Sequence, residues 1–278
     1  MASYLVTGAS RGIGFALIKK LSENPNNVVV AMVRNKAATE SKVAAEISGK
    51  KNIFVVQGDL TDVESLKASF SGQRGSALTE TEKITGGSLD ILIANAGLIS
   101  DYSGLKSLTE LTKDQKALDE DLISLFQVNV IGNIRLFNTF LPLIKNGPTK
   151  KIATLSSGFT DEKLTVDYEV FESAPYSISK SAMNMVTAKY QAEFKKEGVI
   201  FMGVCPGTVD TGHNDQLTPK ETQKLMAMGG KFAAYAPGFK GASTPDEAVV
   251  DVLNVIHGAT LEKNGGQVVS HFGNRQWL

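Results

Sequence analysis

The sequence predicts an α/β fold, a doubly wound parallel sheet of seven strands. Two observations support this prediction. Short β-branched runs alternate with longer runs of helical period, and most of the short runs are almost continuously apolar, as expected of parallel strands that are covered on both faces. The first four runs begin about one strand–helix–strand unit apart, which is typical of such a sheet.

Seven segments are predicted to be strands: residues 4–8, 28–34, 52–59, 89–97, 151–157, 199–207 and 267–271. Because this alternation runs to residue 271 without a repeat or a linker, we expect one domain over residues 1–278. Two segments interrupt it. Residues 71–88 lengthen the connection before the fourth strand, and residues 208–245 form a long, glycine-rich connection after the sixth. A connection of this kind at the carboxyl end of a strand is typical of a substrate lid.

Composition excludes several functional classes. Lys plus Arg equal Asp plus Glu at 29 each, so no net charge favours nucleic acid or a membrane surface. Cys205 is the only cysteine, which excludes an intramolecular disulfide and suits a reducing compartment. The three histidines are far apart, without metal-ligand spacing. No leader is visible and no apolar run approaches the roughly 18 residues of a membrane span. We therefore expect a cytoplasmic protein that binds no metal.

The segment "VTGASRGIGFALIKKL" follows the first strand directly and begins a helix. Its glycines are spaced Gly-x-x-x-Gly-x-Gly, which permits a sharp turn and a close approach of the backbone to a pyrophosphate at the helix N-terminus. This indicates a dinucleotide site on a Rossmann-type sheet, with a plain strand-to-helix turn as the alternative. The predicted contacts in this loop are Gly8, Ser10, Arg11, Gly12, Ile13 and Gly14.

The end of the second strand distinguishes NADP from NAD. A carboxylate there would bind the ribose 2′-hydroxyl of NAD, whereas an arginine accommodates the 2′-phosphate of NADP. Val33 stands where the acid would be, Arg34 follows it, and Arg11 offers a second guanidinium from the glycine loop. We therefore predict NADP, or NADPH in its reduced form. The alternative is that both arginines are simply solvated.

Two further strand ends carry candidate cofactor contacts. Asp59 ends the third strand, where it would accept a hydrogen bond from the adenine amino group beside Leu60. It would equally serve as a helix N-cap, although Thr61 or Asp62 fits that position better. The sequence Asn95-Ala96-Gly97 ends the fourth strand, and its small residues would let a ribose lie against the backbone. A plain turn is the alternative there.

The stretch "APYSISK" places Tyr176 and Lys180 four residues apart, a spacing that puts both on one face of a helix. A free phenol has a pKa of about 10 and is almost wholly protonated at pH 7. A neighbouring ammonium would lower that pKa, so we expect Lys180 to tune Tyr176 as a general acid toward a carbonyl oxygen. The alternative is a packing aromatic beside a solvated lysine.

Two more groups are candidate partners of Tyr176. The pair Ser156-Ser157 ends the fifth strand and offers a hydroxyl donor to the same oxygen. Asn129 lies in a helical pattern although asparagine is a poor helix former, and it would hold a water that links Lys180 to solvent. A structural serine and a solvated asparagine are the alternatives.

Together, TGxxxGxG (7–14), NAG (95–97), Asn129, the serine, YxxxK (176–180) and "PGTVDT" (206–211) resemble the short-chain dehydrogenase/reductase family. The resemblance covers almost the whole chain. It implies a catalytic tetrad of Asn129, Ser157, Tyr176 and Lys180. It also implies nicotinamide contacts from Pro206, Gly207, Val209 and Thr211, and homodimers or homotetramers paired through the helices around 120–145 and 176–196. The Arg11 and Arg34 pair is similar to that of NADP-preferring members.

Two features depart from the family pattern. The interval between Ser157 and Tyr176 is long and holds an acidic insert, residues 160–172, and Gly212-His213 follow Thr211 where a hydrophobic residue is more usual. Because charged residues usually face water, we expect the insert to be a solvated rim, with exclusion of anionic substrates as the alternative. The opening, the long interval and the terminal "RQWL" resemble carbonyl reductases related to norsolorinic acid ketoreductase.

The leading hypothesis is an NADPH-dependent oxidoreductase that reduces a ketone or aldehyde to an alcohol. The alternatives are an NADP-dependent alcohol dehydrogenase that works in the oxidative direction, a non-catalytic NADP(H)-binding sensor or interaction protein, and a nucleotide-binding methyltransferase. An intact tetrad argues against the sensor, because a sensor needs no acid, tuning group and relay.

Overall fold

The computed structural model describes residues 1–67 and 76–278. Within these residues the chain forms one sheet of seven strands, all parallel, in the order β3-β2-β1-β4-β5-β6-β7. The strands are β1 (Ser3–Thr7), β2 (Val28–Val33), β3 (Ile53–Gln57), β4 (Ile91–Ala94), β5 (Lys151–Leu155), β6 (Ile200–Cys205) and β7 (Val268–Ser270). The predicted fold class, a doubly wound Rossmann-type sheet, is confirmed.

Helices connect the strands. They are α1 (Gly12–Ser22), α2 (Lys36–Glu46), α3 (Val63–Leu66), α4 (Ala77–Thr85), α5 (Leu108–Leu111), α6 (Gln115–Phe126), α7 (Gly132–Asn146), α8 (Glu162–Asp167), α9 (Ala174–Phe194), α10 (Pro219–Tyr235), α11 (Pro245–His257) and α12 (Leu261–Asn264). A π-helical turn, Gln127–Ile131, joins α6 to α7, and 3-10 turns span Gly158–Thr160 and Lys195–Glu197. Within the described residues, no helix is both long and apolar enough to cross a membrane.

Neighbouring residues along a strand pack into two hydrophobic cores, one on each face of the sheet. Val6 and Ile93 belong to the cluster beneath α1 and α11, whereas Leu5 and Leu92 belong to the cluster on the other side of the sheet, which contains Phe137 of α7. Because side chains of a strand alternate between faces, burial of both faces requires an almost continuous apolar run. This is the physical reason for the pattern in the sequence.

The strand order reverses between β1 and β4. From β1 the chain builds outward to β2 and β3, and it then returns to place β4 on the other side of β1. In open α/β sheets, ligands bind at such a reversal, beyond the carboxyl ends of the strands. The glycine loop and residues 95–97 both emerge at this point.

Six of the seven predicted strands are longer than the observed ones. The segment 89–97 was expected to be one strand, but β4 ends at Ala94 because Asn95 and Ala96 turn toward β1. The Asn95 amide donates to the Thr7 carbonyl at 2.8 Å, and the Ala96 N–H donates to the Thr7 hydroxyl at 2.9 Å. Hydrogen bonds to the neighbouring strand end therefore replace the ladder, and residues 95–97 reach the crevice.

The two irregular segments contain helices. In the first, helix α4 begins after the N-cap Ser76, and residues 71–75 of the predicted 71–88 connection lie outside the described residues. In the second, residues 208–245, the chain forms the 17-residue helix α10. A parallel bridge joins Val209 to Ser243, so the two ends of this segment lie side by side.

Candidate active site

The glycine loop is shaped by close packing at two of its glycines. Gly8 has φ +66°, in the left-handed region that favours glycine. A side chain at Gly14 would place Cβ 2.3 Å from the Gly8 carbonyl oxygen and 2.5 Å from the Asn95 amide nitrogen. Asn95 donates to the Thr7 carbonyl and, at 3.3 Å, to that of Gly8. The Asn95 side chain therefore holds the loop, and Ala96 and Gly97 present the backbone to the crevice.

Three cations lie around the entrance to this loop. Arg11 and Arg34 are both exposed, just beyond the ends of the paired strands β1 and β2. Lys42 of α2, which sequence reasoning missed, donates to the Ser10 carbonyl at 3.4 Å and lies 4.3 Å from the centroid of the Phe15 ring. Its signal in the sequence is weak because only the packing of α2 brings it to the loop.

Asp59 and Leu60 follow β3 on the same edge of the sheet. One carboxylate oxygen of Asp59 accepts from the backbone N–H and the hydroxyl of Thr61, each at 2.8 Å. Asp62, rather than Asp59, caps α3 by accepting from Glu64 and Ser65. This agrees with the preference stated from the sequence, and it leaves Asp59 outside the helix. Leu60 is buried against Gly132 of α7.

Helix α9 carries Tyr176 and Lys180. It begins at Ala174, with Pro175 in its first turn, and the preceding Ser173 adopts φ +56°. Proline is well suited to a first turn because its missing N–H is not needed there. Four residues of helix then place the Lys180 ammonium 5.6 Å from the centroid of the Tyr176 ring. This ammonium donates to the Leu155 carbonyl, at the end of β5, at 2.7 Å.

The pKa values of these two groups are both perturbed by burial. Burial lowers the pKa of Lys180 to about 8, and the nearby Cys205 thiol opposes that shift. Burial raises the pKa of Tyr176, Cys205 adds to the rise, and hydrogen bonding with Ser157 opposes it. The spacing of the two residues predicts that Lys180 lowers the pKa of Tyr176. Within the chain itself, burial outweighs the other influences on the phenol and raises its pKa, and the lowering expected beside the nicotinamide stays a prediction. A raised pKa keeps Tyr176 in the neutral form, which is the form that donates a proton.

Ser156 and Ser157 differ in what they contact. The hydroxyl of Ser156 is buried and donates to Asn184 of α9 at 2.7 Å, so it joins two elements. Ser157 is half-buried beside Tyr176, with which it is hydrogen-bonded, and its hydroxyl accepts a 3.2 Å bond from the Phe159 N–H. The Ser157 hydroxyl therefore lies next to the phenol, whereas that of Ser156 joins β5 to α9.

Asn129 lies in the π-helical turn, buried beneath Gly97. A methyl group at Gly97 would lie 3.3 Å from the Asn129 amide oxygen and 3.5 Å from the Lys180 ammonium, so both groups meet under this glycine. The Asn129 amide donates to the Leu98 carbonyl at 2.9 Å and to the Ser179 hydroxyl at 3.0 Å, and its oxygen accepts from the Leu98 N–H at 2.7 Å. Single π-turns within helices are frequent at functional sites, but the sequence did not predict this one.

A cleft of about 830 Å³ opens above these residues. We call it the main cleft. Its lining includes Ile13, Ser157, Tyr176, Val209, Lys224 and Trp277. Pro206, Gly207 and Thr211 also line it, and Gly207 has φ +78° with the His271 ring packed against it. A methyl group at Gly12 would lie 3.2 Å from Thr211, so the glycine loop meets the "PGTVDT" segment directly. The cleft thus brings the predicted nicotinamide contacts and Ile13 of the glycine loop together with Ser157 and Tyr176.

Helix α10 lies along one wall of the main cleft and is fastened at two points. The Lys224 ammonium lies 2.7 Å from the Glu110 carboxylate and donates to the Leu105 carbonyl at 3.1 Å, and this pairing helps to lower the pKa of Glu110 to about 2. The Lys231 ammonium lies 2.7 Å from the Glu172 carboxylate, close to the start of α9. Glu172 belongs to the acidic insert, yet it is buried. This part of the insert is therefore not a solvated rim.

Two C-terminal residues of the main cleft were not predicted from the sequence. Trp277 and Leu278 line it, although they lie about a hundred residues beyond Tyr176 in the chain. The only signal was that Trp277 is the single tryptophan. Nothing in its position along the chain indicates where the segment folds.

Residues 3–222 match the short chain dehydrogenase family. This chain belongs to that family. Two relatives align with this chain over their full lengths. It is 45% identical to the short chain dehydrogenase virK of Hypocrea virens over 279 aligned residues, and 42% identical to the short-chain dehydrogenase/reductase iacC of Pestalotiopsis fici over 280 residues, with complete coverage of both chains in each case. The family confirms an oxidoreductase of short-chain dehydrogenase type.

Solved structures share the family fold at lower identity. The NADPH-bound carbonyl reductase from chicken fatty liver superposes with a TM-score of 0.74 at 24% identity, covering 99% of this chain and 98% of that one. A short-chain dehydrogenase/reductase from Burkholderia multivorans with bound NADP superposes with a TM-score of 0.68 at 20% identity, covering 98% and 97%. At these identities the likeness concerns the fold.

Proposed function

We propose that this protein is an NADPH-dependent carbonyl reductase that converts a ketone or aldehyde to an alcohol. The observation that supports this most directly is the grouping of four polar side chains. The Tyr176 phenol and the Ser157 hydroxyl line the main cleft. The Lys180 ammonium lies behind Tyr176 and meets the Asn129 amide beneath Gly97. An acid, a second donor, a buried cation and a polar relay, grouped beyond the carboxyl ends of β4 and β5, are the parts that carbonyl reduction requires.

In this proposal Tyr176 and Ser157 both bind the carbonyl oxygen. Bound NADPH supplies the hydride that forms the new C–H bond at the carbonyl carbon. Tyr176 transfers its phenolic proton to the oxygen, so the C=O double bond becomes a C–O–H group. The Ser157 hydroxyl donates a hydrogen bond to the same oxygen as negative charge develops on it.

Lys180 stabilises the phenolate that forms at Tyr176 when its proton is transferred. Its ammonium is held by the Leu155 carbonyl at 2.7 Å and lies beneath Gly97 beside the Asn129 amide oxygen. Both amide hydrogens of Asn129 are occupied, by Leu98 and Ser179. Its oxygen still has one lone pair that can accept a hydrogen bond from a water. A proton would then pass from that water to Lys180 and from Lys180 to Tyr176.

The residues present fit NADPH. The packing at Gly8 and Gly14 leaves no room for side chains where a pyrophosphate would approach the start of α1. Arg11 and Arg34 offer two exposed guanidiniums where a 2′-phosphate would lie, and Lys42 adds a third cation nearby. Guanidinium suits phosphate because it is permanently charged and presents a planar fork of donors. The adenine end would meet Asp59 and Leu60, and the nicotinamide end would meet Pro206, Gly207, Val209 and Thr211.

Three further expectations belong to this proposal. Residues 208–245 act as the substrate lid, since α10 forms a wall of the main cleft. The protein forms homodimers or homotetramers through the helices around 120–145 and 176–196. It works in the cytoplasm, where Cys205 stays reduced.

The test is loss of NADPH absorbance with a panel of ketones and aldehydes, using the wild-type protein and Tyr176→Phe. We expect turnover by the wild type and a loss of about 10²–10⁴-fold in kcat for Tyr176→Phe, which removes the acid and keeps the ring. NADPH affinity, measured by calorimetry, should change little.

Two results would contradict the proposal. Equal rates for the wild type and Tyr176→Phe would show that Tyr176 is not the proton donor. Tight binding of NADPH without turnover of any member of the panel would favour a cofactor-binding sensor. Ser157→Ala is the companion variant, and we expect an intermediate loss because a second donor remains.

A further inference from the structure

The C-terminal segment, residues 271–278, folds back over the inner end of the main cleft. A turn after β7 reverses the chain, with the Ser270 N–H donating to the Asn274 carbonyl at 2.7 Å. The Arg275 guanidinium then lies 3.5 Å from the carboxylate of Asp161 in the insert that follows Ser157. The end of the chain therefore lies beside the segment that carries the proposed second donor.

Trp277 is the residue through which this segment meets the site. It is only 2% exposed, and its backbone N–H donates to the Tyr235 hydroxyl of α10 at 3.1 Å. A methyl group at Gly158 would lie 2.8 Å from the Trp277 Cβ, a distance that Cβ atoms do not tolerate. Since Gly158 follows Ser157 directly, Trp277 packs against the backbone next to the proposed oxygen-binding hydroxyl.

Trp277 also separates the main cleft from a second cavity. This side cavity, of about 820 Å³, is lined by residues that include Asp161, Leu164, Tyr168, Tyr235, Arg275 and Trp277. Among the described residues, Leu164 and Trp277 alone line both cavities. They belong to the same buried cluster and together form the partition.

The two sides of this partition differ chemically. On the side of the main cleft, Phe159 and Phe232 lie with ring centroids 5.9 Å apart beside Leu164, so the inner end is apolar. On the other side, Asp161 and Arg275 form an ion pair. A substrate group that reached past Trp277 would leave an apolar surface and would have to desolvate charged groups, which is unfavourable.

We propose that Trp277 is a specificity-determining residue: its indole closes the inner end of the main cleft and restricts the carbonyl substrate to one with a compact, apolar substituent on that side. This inference rests on the proposed function, because Ser157 and Tyr176 must orient the carbonyl for its substituent to face the indole. If Trp277 served only to fill the core, its removal would reduce stability and leave selectivity unchanged.

The experiment compares acetophenone, a compact ketone, with 4-acetylbiphenyl, which is longer by one ring. Both kcat/KM with NADPH and the dissociation constant from calorimetry are measured for the wild type and Trp277→Ala. We expect the wild type to prefer acetophenone by both measures. In Trp277→Ala the ratio should shift toward 4-acetylbiphenyl by about tenfold or more, because pocket contacts of this size discriminate by roughly that factor. In the wild type, acetophenone should also alter the emission of Trp277, the only tryptophan.

Two further variants separate selectivity from stability. Leu164→Ala removes the other side chain of the partition and should shift the ratio of the two ketones in the same direction. This variant provides the test if Trp277→Ala fails to fold. Val170→Ala is the matched control, since Val170 is buried in the same cluster and lines neither cavity. It should lower the melting temperature and leave the ratio at its wild-type value.

The outcomes distinguish the two proposals. If the wild type reduces neither these ketones nor any member of the carbonyl panel, but the binding ratios shift as expected, the proposed function fails and the role of Trp277 in ketone binding stands. If the wild type is active and the Trp277→Ala and Leu164→Ala ratios equal that of Val170→Ala, the inference is overturned and the proposed function stands. Failure of both ketones to bind to any of the proteins also overturns the inference.

Discussion

Arg34 is the side chain on which the proposed cofactor preference depends most directly. Arg34→Asp replaces an exposed guanidinium at the end of β2 with the carboxylate that would bind the 2′-hydroxyl of NAD. We expect the KM for NADPH to rise about 10- to 100-fold, the range of one or two charge-assisted hydrogen bonds. The KM for NADH should stay the same or fall.

Steady-state kinetics check these changes by measuring the KM for NADPH and the KM for NADH in the wild type and in Arg34→Asp. NADH is the internal control, because a general loss of structure would raise both constants together. Arg11→Ala, alone and combined with Arg34→Asp, shows whether the two guanidiniums share one phosphate. A KM for NADPH that barely moves in the double variant would contradict the 2′-phosphate assignment.

Lys180 links the site to the pH dependence of stability. Its pKa is lowered to about 8 in the folded protein from an ordinary value of 10.5. Above pH 8 the folded protein has therefore released a proton that the unfolded chain still holds. The free energy of unfolding consequently rises with pH, by about 2–3 kcal/mol between pH 8 and 10.5. We expect Lys180→Met to lose this rise, since it removes the titrating group.

Urea unfolding across this pH range measures the effect as the difference between the wild type and Lys180→Met. Lys189→Met is the matched control, because it removes an exposed lysine from the same helix α9 and should retain the wild-type rise. Parallel pH profiles for all three proteins would show that Lys180 is not perturbed by burial.

At the scale of an element, α10 has a weak point in its middle. Gly229 and Gly230 both lie inside the helix, and a side chain at either would meet nothing within 4 Å. Glycine is therefore not needed there for packing, and each costs the helix about 1 kcal/mol relative to alanine. The glycines lie between the two fastenings at Lys224 and Lys231, so a lid that opens would bend here.

We expect Gly229→Ala with Gly230→Ala to strengthen α10 by about 1–2 kcal/mol. Hydrogen exchange of the α10 amides should slow, and if the lid bends at this point, kcat should fall. Ala233→Gly is the matched control at an exposed position of the same helix and should have the opposite effect on exchange. Unchanged exchange in the double variant would mean that α10 does not open at these glycines.

At the scale of the whole molecule, α6 and α9 pack together and expose apolar side chains, including Ile123, Phe126, Ile178 and Met185. Ile178 and Met185 are two helical turns apart and so lie on one face of α9. Such a face is unusual on a monomer. We expect a second copy of the chain to cover it, in agreement with the helices named from the family resemblance.

Sedimentation velocity tests this with Met185→Glu. The added charge should shift the protein toward the monomer, because burying unpaired carboxylates in an interface is costly. Met226→Glu is the matched control. Met226 is 73% exposed on α10 and Met185 is 59% exposed on α9, so only the surface differs. Identical sedimentation of all three proteins would place the interface elsewhere.

The sequence by itself determined the sheet, the glycine loop and the pair of Tyr176 and Lys180. These features depend on contacts that are short along the chain. Strand burial needs continuous apolar runs, the loop needs glycine at Gly8 and Gly14, and the pair needs only one turn of helix. Strand ends were less accurate, since Asn95 leaves β4 to bond with β1, which is distant in sequence.

Only the tertiary structure decided what surrounds that pair. The raised pKa of Tyr176 and the lowered pKa of Lys180 follow from burial, which depends on the packing of α9 against β5 and β6. In the sequence Glu172 belongs to an acidic insert that is expected to be solvated, but in the structure Lys231 of α10 pairs with it and covers it. Trp277 reaches the site because the chain turns back after β7. Each of these contacts joins residues far apart in the sequence, so no local pattern records them.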